Sequence, residues 1–258
     1  MPPAGHRLGQ PGRVPHQRFQ PAPAHQHIGL ERQLLGNASH FITQRLHLLT
    51  LLAIQRLRQR RRRLADDGYL FVKGLQDADR LRAWRRDTLG VLMEGGWLVP
   101  GTRVEDGIAR IEAKCAEGDP EYTGVYHQVQ RLESFHRSGH WPEVLDVMTR
   151  AIGDDVLPQP QKICRLWFPQ YTEHTTPTHQ DYVHFQGSYD TYTCWAPVGD
   201  CPVELGGLAI IPGSHRPEVV MPHHFSLGAG LLAIDADELS GQWQTTDYEI
   251  GDTLIFHS

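Results

Sequence analysis

A chain of 258 residues with 40% hydrophobic side chains can bury a substantial core, as one large domain or two small ones. Its net charge of −5, from 30 acidic and 25 basic residues, argues against a nucleic-acid binder, which needs a basic folded face. No apolar run reaches the roughly 18 residues of a membrane-spanning helix, and the four cysteines (Cys115, Cys164, Cys194, Cys201) lack the spacing of a zinc site or a disulfide framework. Reduced thiols in a cytoplasmic compartment are the simplest expectation.

The charge is unevenly spread. Residues 1–63 hold eleven Arg and a single acidic residue, Glu31, for +10, which leaves −15 on the remaining 195. Met1 to Gly29 is rich in Pro, Gln, His and Arg and poor in aromatics, the composition of a disordered stretch. Phe41 to Gln59 fits a basic amphipathic helix whose charge Arg60–Arg63 extends. An organellar transit peptide, a basic arm for an anionic surface, and an extension foreign to the native protein compete for residues 1–63. The last is preferred, with residues 64–258 as the folded domain.

Within that domain Tyr69–Lys73 reads as a strand ended by Gly74, and Asp77 or Asp79 caps a helix running to about Glu94. Leu81, Trp84, Thr88 and Leu92 share one face of it, and Gly95-Gly96 stops it. Residues 97–137 show no clean period and read as loop with short elements. A second helix starts near Ser138, with Pro142 in its first turn and Trp141, Val144, Leu145, Met148 and Ile152 as its apolar face. Trp84 and Trp141 are expected in the core. From Gln161 the pattern turns to strands: KICRLWF, TYTCWAP, GLAIIP and DTLIF, separated by Gly/Pro-rich turns. Helices followed by antiparallel strands imply an α+β, mainly β, architecture with helices against one sheet.

The chemistry concentrates between Pro177 and Arg216. His179 and Asp181 lie two residues apart in an extended-looking segment, and in a strand such side chains share a face. An imidazole nitrogen and a carboxylate oxygen would then converge, as in two-thirds of the 2-His-1-carboxylate triad that holds non-haem Fe(II). Alone the pair says little. With 16 His in the chain a single His-x-Asp is expected by chance, and a polar pair in a surface loop competes.

Five motifs in order change that weighing: His179-Gln180-Asp181, Trp195, Glu204-Leu205-Gly206-Gly207-Leu208, Pro212-Gly213-Ser214-His215-Arg216, and Gly251-Asp252-Thr253-Leu254-Ile255-Phe256-His257. Together they resemble the phytanoyl-CoA dioxygenase family of Fe(II)/2-oxoglutarate oxygenases, over about residues 64 to 258. The resemblance implies a double-stranded β-helix, the cupin-like jelly roll, flanked by helices. It implies Fe(II), 2-oxoglutarate and O₂ as cofactor and cosubstrates, and hydroxylation of a small organic substrate with release of succinate and CO₂. His179 and Asp181 match the iron ligands. Gln180 and Trp195 match positions near the cosubstrate, with Gln161 a looser match, and Trp195 reads equally as a core aromatic.

The sequence also departs from the family pattern. The distal His ligand is expected a few residues past the GD strand, and an Arg for the far carboxylate of 2-oxoglutarate further on, whereas the sequence ends at Ser258. The expectation is a truncated domain missing its last strands, with His257 available as third ligand only if the strand end shifts toward the metal. His215 reads as shaping a loop, and His184, His223 and His224 as surface or supporting residues. Two other readings stay open: a non-catalytic protein of the same fold that binds a small molecule or partner, and a cupin-like metal isomerase or hydrolase using His179, Asp181 and His184. Residues 97–137 and Tyr182–Asp190 are expected to wall the substrate pocket. Beyond that small molecule, neither nucleic acid nor a membrane is expected as a partner.

Overall fold

The computed structural model describes residue 45 and residues 55–216, 219–235, 237, 239 and 241–258. The stretch Met1 to Gly29, expected to be disordered, and most of the basic helix expected from Phe41 to Gln59 lie outside the described residues. Two compact units divide the chain, Met1–Ile54 and Gln55–Ser258, and the account below concerns the second.

Residues 55–67, rich in the good helix former Arg with two each of Leu and Gln, are helical (α1). The helix ends on Gly68, whose φ of +78° suits a residue without Cβ. A helix leaves its last carbonyls without partners, and here the Pro212–Arg216 turn supplies them. Gly213 N–H donates to Asp67 O at 2.8 Å, His215 Nε2 to Ala65 O at 3.1 Å, and Arg216 Nε to Asp66 O at 2.9 Å. His215 therefore shapes a loop, as expected. From the basic run, Arg61 Nε donates to the Arg150 carbonyl at 2.8 Å, near the end of another helix.

Strand β1 (Tyr69–Val72) pairs antiparallel with β5 (Thr253–His257), which pairs antiparallel on its other side with β2 (Tyr192–Trp195). Aromatic and β-branched side chains suit all three. One face of this sheet, with Leu70 and the fully buried Ile255, packs on helix α5 (Pro142–Ile152) through Val144, Val147, Met148 and Ala151. The other face carries Phe71, Leu254, Thr193 and Trp195, and Tyr248 packs edge-on against both Phe71 and Trp195 at centroid distances of 5.6 and 4.8 Å.

The Gly251-Asp252 turn locks β5 to the start of the domain. Asp252, 1% exposed, accepts from Gly74 N at 2.9 Å and Glu249 N at 3.1 Å, while Gln76 Nε2 donates to Thr253 Oγ1 at 3.0 Å. Helix α2 (Ala78–Glu94) is capped by Asp77, whose side chain accepts from Arg80 N at 2.8 Å. Leu81, Thr88 and Leu92 are buried on the expected face, Leu89 is buried as well, and the helix ends at Gly95. Helices α3 (Pro120–Val129) and α4 (Glu133–Ser138) are among the short elements of the stretch read as loop with short elements. With α2 they enclose Trp97, Tyr122, Phe135, Cys164 and Phe168 in a second core. Trp84 and Trp141 pack against the two cores, each only partly buried.

Three expectations need correcting. The face of α5 is rotated: Val147 and Ala151 are buried, whereas Ile152 is 37% exposed. A helix buries whichever stripe meets the sheet, and Trp141, at the N-cap, instead stacks under Arg80. Residues 162–168 form no strand; Cys164 and Phe168 are buried, and the Cys164 N–H is satisfied by Tyr126 Oη at 3.1 Å rather than by a neighbouring strand. The GLAIIP run makes only an isolated bridge, Ile210 to Gln244. The other described ladder is the two-stranded pair β3 (His224–Phe225) and β4 (Leu232–Ala233). Mixed helix and strand with helices on one sheet face is therefore seen, and these ladders do not by themselves draw a closed jelly roll. No helix among the described residues is long and apolar enough to cross a membrane.

Gly68 and Gly74 make a controlled comparison. A Cβ on Gly68 would fall 2.4 Å from His215 Nδ1, whereas one on Gly74 (φ +57°) meets nothing within 4 Å. Gly68→Ala is expected to lower unfolding free energy by about 2 kcal/mol or more, against about 1 kcal/mol for Gly74→Ala, where backbone conformation alone is penalised. Urea titration of the two variants measures the difference.

Candidate metal centre

The segment carrying His179 is held along the β3–β4 hairpin: Ile234 N–H donates to Thr178 O at 2.9 Å. The segment is not a strand. Asp181 has helical backbone angles (φ −65°, ψ −27°) and caps α6 (Tyr182–Phe185), a single turn. A turn, rather than strand alternation, brings the two side chains together. His179 Nε2 lies 3.0 Å from Asp181 Oδ1, and both side chains are less than a fifth exposed.

Two further contacts orient the pair. His179 Nδ1 is 2.7 Å from the Pro177 carbonyl, which can only accept, so the proton belongs on Nδ1 and the Nε2 lone pair faces Asp181 when the ring is neutral. On the other side Thr193 Oγ1 donates to Asp181 Oδ2 at 2.5 Å. Thr193 lies on β2 two residues before Trp195, so it faces the same side of the sheet. That alternation was the available sequence signal for a residue the motif reading missed.

The electrostatics follow. Burial works against a charged His179, but the hydrogen bonds to Asp181 and Pro177 outweigh it and the pKa is raised. Burial likewise opposes the Asp181 charge, yet His179 and Thr193 hold its pKa below the ordinary carboxylate value. His184, one turn on, is pushed down by burial and by its neighbour His179, with ring centroids 5.6 Å apart.

Ligand atoms about 2.1 Å from an ion in adjacent octahedral positions are separated by about 3.0 Å. The His179–Asp181 separation meets that requirement, and a ligating His commonly gives its second N–H to a backbone carbonyl. The pair therefore fits two positions around a metal. A third is not gathered: among the described residues no three His, Cys, Asp or Glu side chains form a group that could hold an ion.

His257 is the sequence candidate furthest from meeting its expected role. It pairs with Tyr192, so its side chain lies on the sheet face opposite Thr193, where it meets the Tyr192 ring at 5.2 Å and the His215 ring at 5.8 Å. Register parity removes it from the pair. Gln180 is committed elsewhere: its side-chain amide donates to Val219 O at 3.1 Å and accepts from Met221 N at 2.8 Å. Its backbone N–H reaches His223 Nε2 at 3.1 Å, which gives His223 a supporting role. Trp195 faces the same side of the sheet as Thr193, against Tyr248. Gln161 lines a recess of about 200 Å³ that His184 and Arg165 also line. Arg165, a cation set among apolar residues in the KICRLWF run, is the second residue the motif reading missed.

A model of the family "Phytanoyl-CoA dioxygenase" matches residues 64–258. Two 1-deoxypentalenic acid 11-beta-hydroxylases are similar to the chain. That of Streptomyces exfoliatus is 24% identical over 208 residues, covering 75% of this chain and 69% of its own length. That of Streptomyces arenae is 25% identical over 203 residues, with the same coverage of 75% and 69%. Among solved structures, the epimerase SnoN in complex with Fe3+, alpha ketoglutarate and nogalamycin RO aligns with a TM-score of 0.46 at 18% identity, over 79% of this chain and 74% of that one.

The Thr193–Asp181 contact yields a pH-dependent prediction. Thr193→Val is expected to cost the metal-free chain about 1–2 kcal/mol at neutral pH, because a buried carboxylate oxygen loses its donor. With the folded pKa of Asp181 depressed, that difference is full above the unfolded carboxylate value and disappears as pH falls through the folded one. Urea unfolding of both proteins across acidic pH reads it.

Proposed function

The chain belongs to the phytanoyl-CoA dioxygenase family, and from that premise we propose that it is an Fe(II)/2-oxoglutarate-dependent dioxygenase that hydroxylates a small organic substrate. Succinate and CO₂ are the expected co-products. The observation that carries this reading is the 3.0 Å approach of His179 Nε2 and Asp181 Oδ1, with the Pro177 carbonyl fixing the opposite ring nitrogen. These two atoms would hold the iron, which together with 2-oxoglutarate and O₂ supplies the oxidising chemistry when bound.

The chain's own residues then position and shield. Thr193 ties up Asp181 Oδ2, leaving Oδ1 as the oxygen offered to a ligand. Pro177 keeps the imidazole in the tautomer whose Nε2 can donate its lone pair. Trp195 and Tyr248 form an apolar wall on that sheet face, the environment in which water is excluded and electrostatic contacts strengthen. Gln180 pins residues 219–221 beside the pair, a scaffolding part in place of the cosubstrate contact expected from its position. Two hydroxylases among the similar proteins support hydroxylation as the outcome. A jelly-roll interior would be the natural container for this arrangement.

Two measurements test the reading. Wild-type protein with Fe(II), 2-oxoglutarate and ascorbate is expected to release succinate, and His179→Ala or Asp181→Ala to lose that release by more than about 100-fold. Mn(II) at about 100 times its dissociation constant should add about 2.7 kcal/mol of thermal stability to wild type and none to either variant. Succinate release that survives both substitutions overturns the assignment, and so does wild-type protein that neither binds Mn(II) nor releases succinate.

A further inference from the structure

A recess beside His184 is lined by Arg165, Lys162, Glu117 and Gln161. Arg165 is its fixed feature, with a side chain 18% exposed. Glu117 Oε2 accepts from Arg165 Nη1 at 2.6 Å and from Gly230 N at 3.2 Å, so one nitrogen of the guanidinium is pinned. An arginine has five N–H donors in a fixed fork, so further donors remain to read a second carboxylate. Lys162 lines the same recess and exceeds the charge that Glu117 neutralises. Gly230 keeps the floor open: a Cβ there would lie 3.4 Å from Arg165 Nη2 and 3.4 Å from His184 Nε2. That His184 nitrogen is buried without a hydrogen-bond partner among the described residues. Tyr126 and the 39%-exposed Ile163 add apolar wall.

We propose that this recess docks a carboxylate carried by the substrate, held by Arg165 and Lys162, with the apolar remainder of the molecule against Tyr126 and Ile163. Two cations and a single carboxylate line the recess, beside a buried nitrogen with no partner among the described residues, and this excess of positive charge selects an anion over a neutral polar group. The exposed Gln161 and Ile163 put the recess at the rim. A cosubstrate sequestered from water needs an enclosed seat, whereas a substrate's remote anchoring group belongs where it meets the protein first and contributes binding energy away from the reacting carbon. What becomes of the docked acid rests on the oxygenase reading; its binding rests on the recess alone.

The test is calorimetric titration of the full chain, without metal, using 4-phenylbutyrate, its primary amide 4-phenylbutyramide, and 2-oxoglutarate. The acid is expected to bind at least about tenfold more tightly than the amide, and Arg165→Gln or Lys162→Gln to remove at least about tenfold of acid affinity with the amide unchanged. Lys162→Gln leaves the Arg165–Glu117 pair intact and decides the matter if Arg165→Gln fails to fold by circular dichroism. Equal affinity for acid and amide, or variants that bind the acid like wild type, overturns the proposal. So does competitive displacement of the acid by 2-oxoglutarate, which would assign the recess to the cosubstrate. Succinate release measured on the same preparations separates the two readings: acid selectivity without turnover keeps the recess and removes the oxygenase, and turnover without selectivity does the reverse.

Discussion

One buried carboxylate couples the turn that carries the candidate ligands to the sheet that positions them. Asp181 gives one oxygen to His179 and receives on the other the hydroxyl of Thr193. Thr193 reaches it because β2 pairs with β5 in a register that sets Thr193 opposite Phe256, and β5 in turn is bracketed by β1. A slip of one residue would turn Thr193 toward α5 and leave a buried carboxylate oxygen without its donor. The site is therefore as well defined as the sheet register and no better.

That register is secured by motifs whose role is architectural. The Gly251-Asp252 turn holds the start of β5 against the β1–α2 connection through a carboxylate that accepts two backbone N–H groups. The Pro212–Arg216 turn satisfies the terminal carbonyls of α1, fixing where β1 begins. Gly207 allows Tyr248 to approach, since a Cβ there would sit 2.9 Å from its ring, and Tyr248 packs against Trp195 and Phe71. Three of the five family motifs thus hold the scaffold, and one of the others, His179-Gln180-Asp181, mixes both duties: two side chains face the site and the third clamps residues 219–221.

The surroundings of the pair divide its labour. On the sheet side, Trp195, Tyr248 and Leu254 give an apolar, water-poor wall. On the His184 side, Arg165, Lys162 and Glu117 give a charged rim open to solvent. The oxygenase reading proposed above would draw on the first kind of environment, and the proposed carboxylate docking on the second. The pair belongs to a turn rather than a strand, consistent with reactive groups on loops held by a rigid scaffold.

The sequence by itself determined the features that depend on near neighbours along the chain. A cap at Asp77 or Asp79, Gly95 as a stop and most of the α2 face follow from local helix signals, and β1, β2 and β5 follow from short apolar runs between turn residues. The family was legible as well, because five motifs in order are a far rarer pattern than any one of them. Tertiary structure decided the rest. Residues 162–168 have the composition of a strand but no ladder partner, and a strand exists only with one. The face of α5 was chosen by the sheet it covers. His257 and Thr193 were separated by pairing parity, which no local signal carries. Arg165 and Glu117 meet across 48 positions of chain; composition shows that both charges exist, and only folding decides that they share a recess.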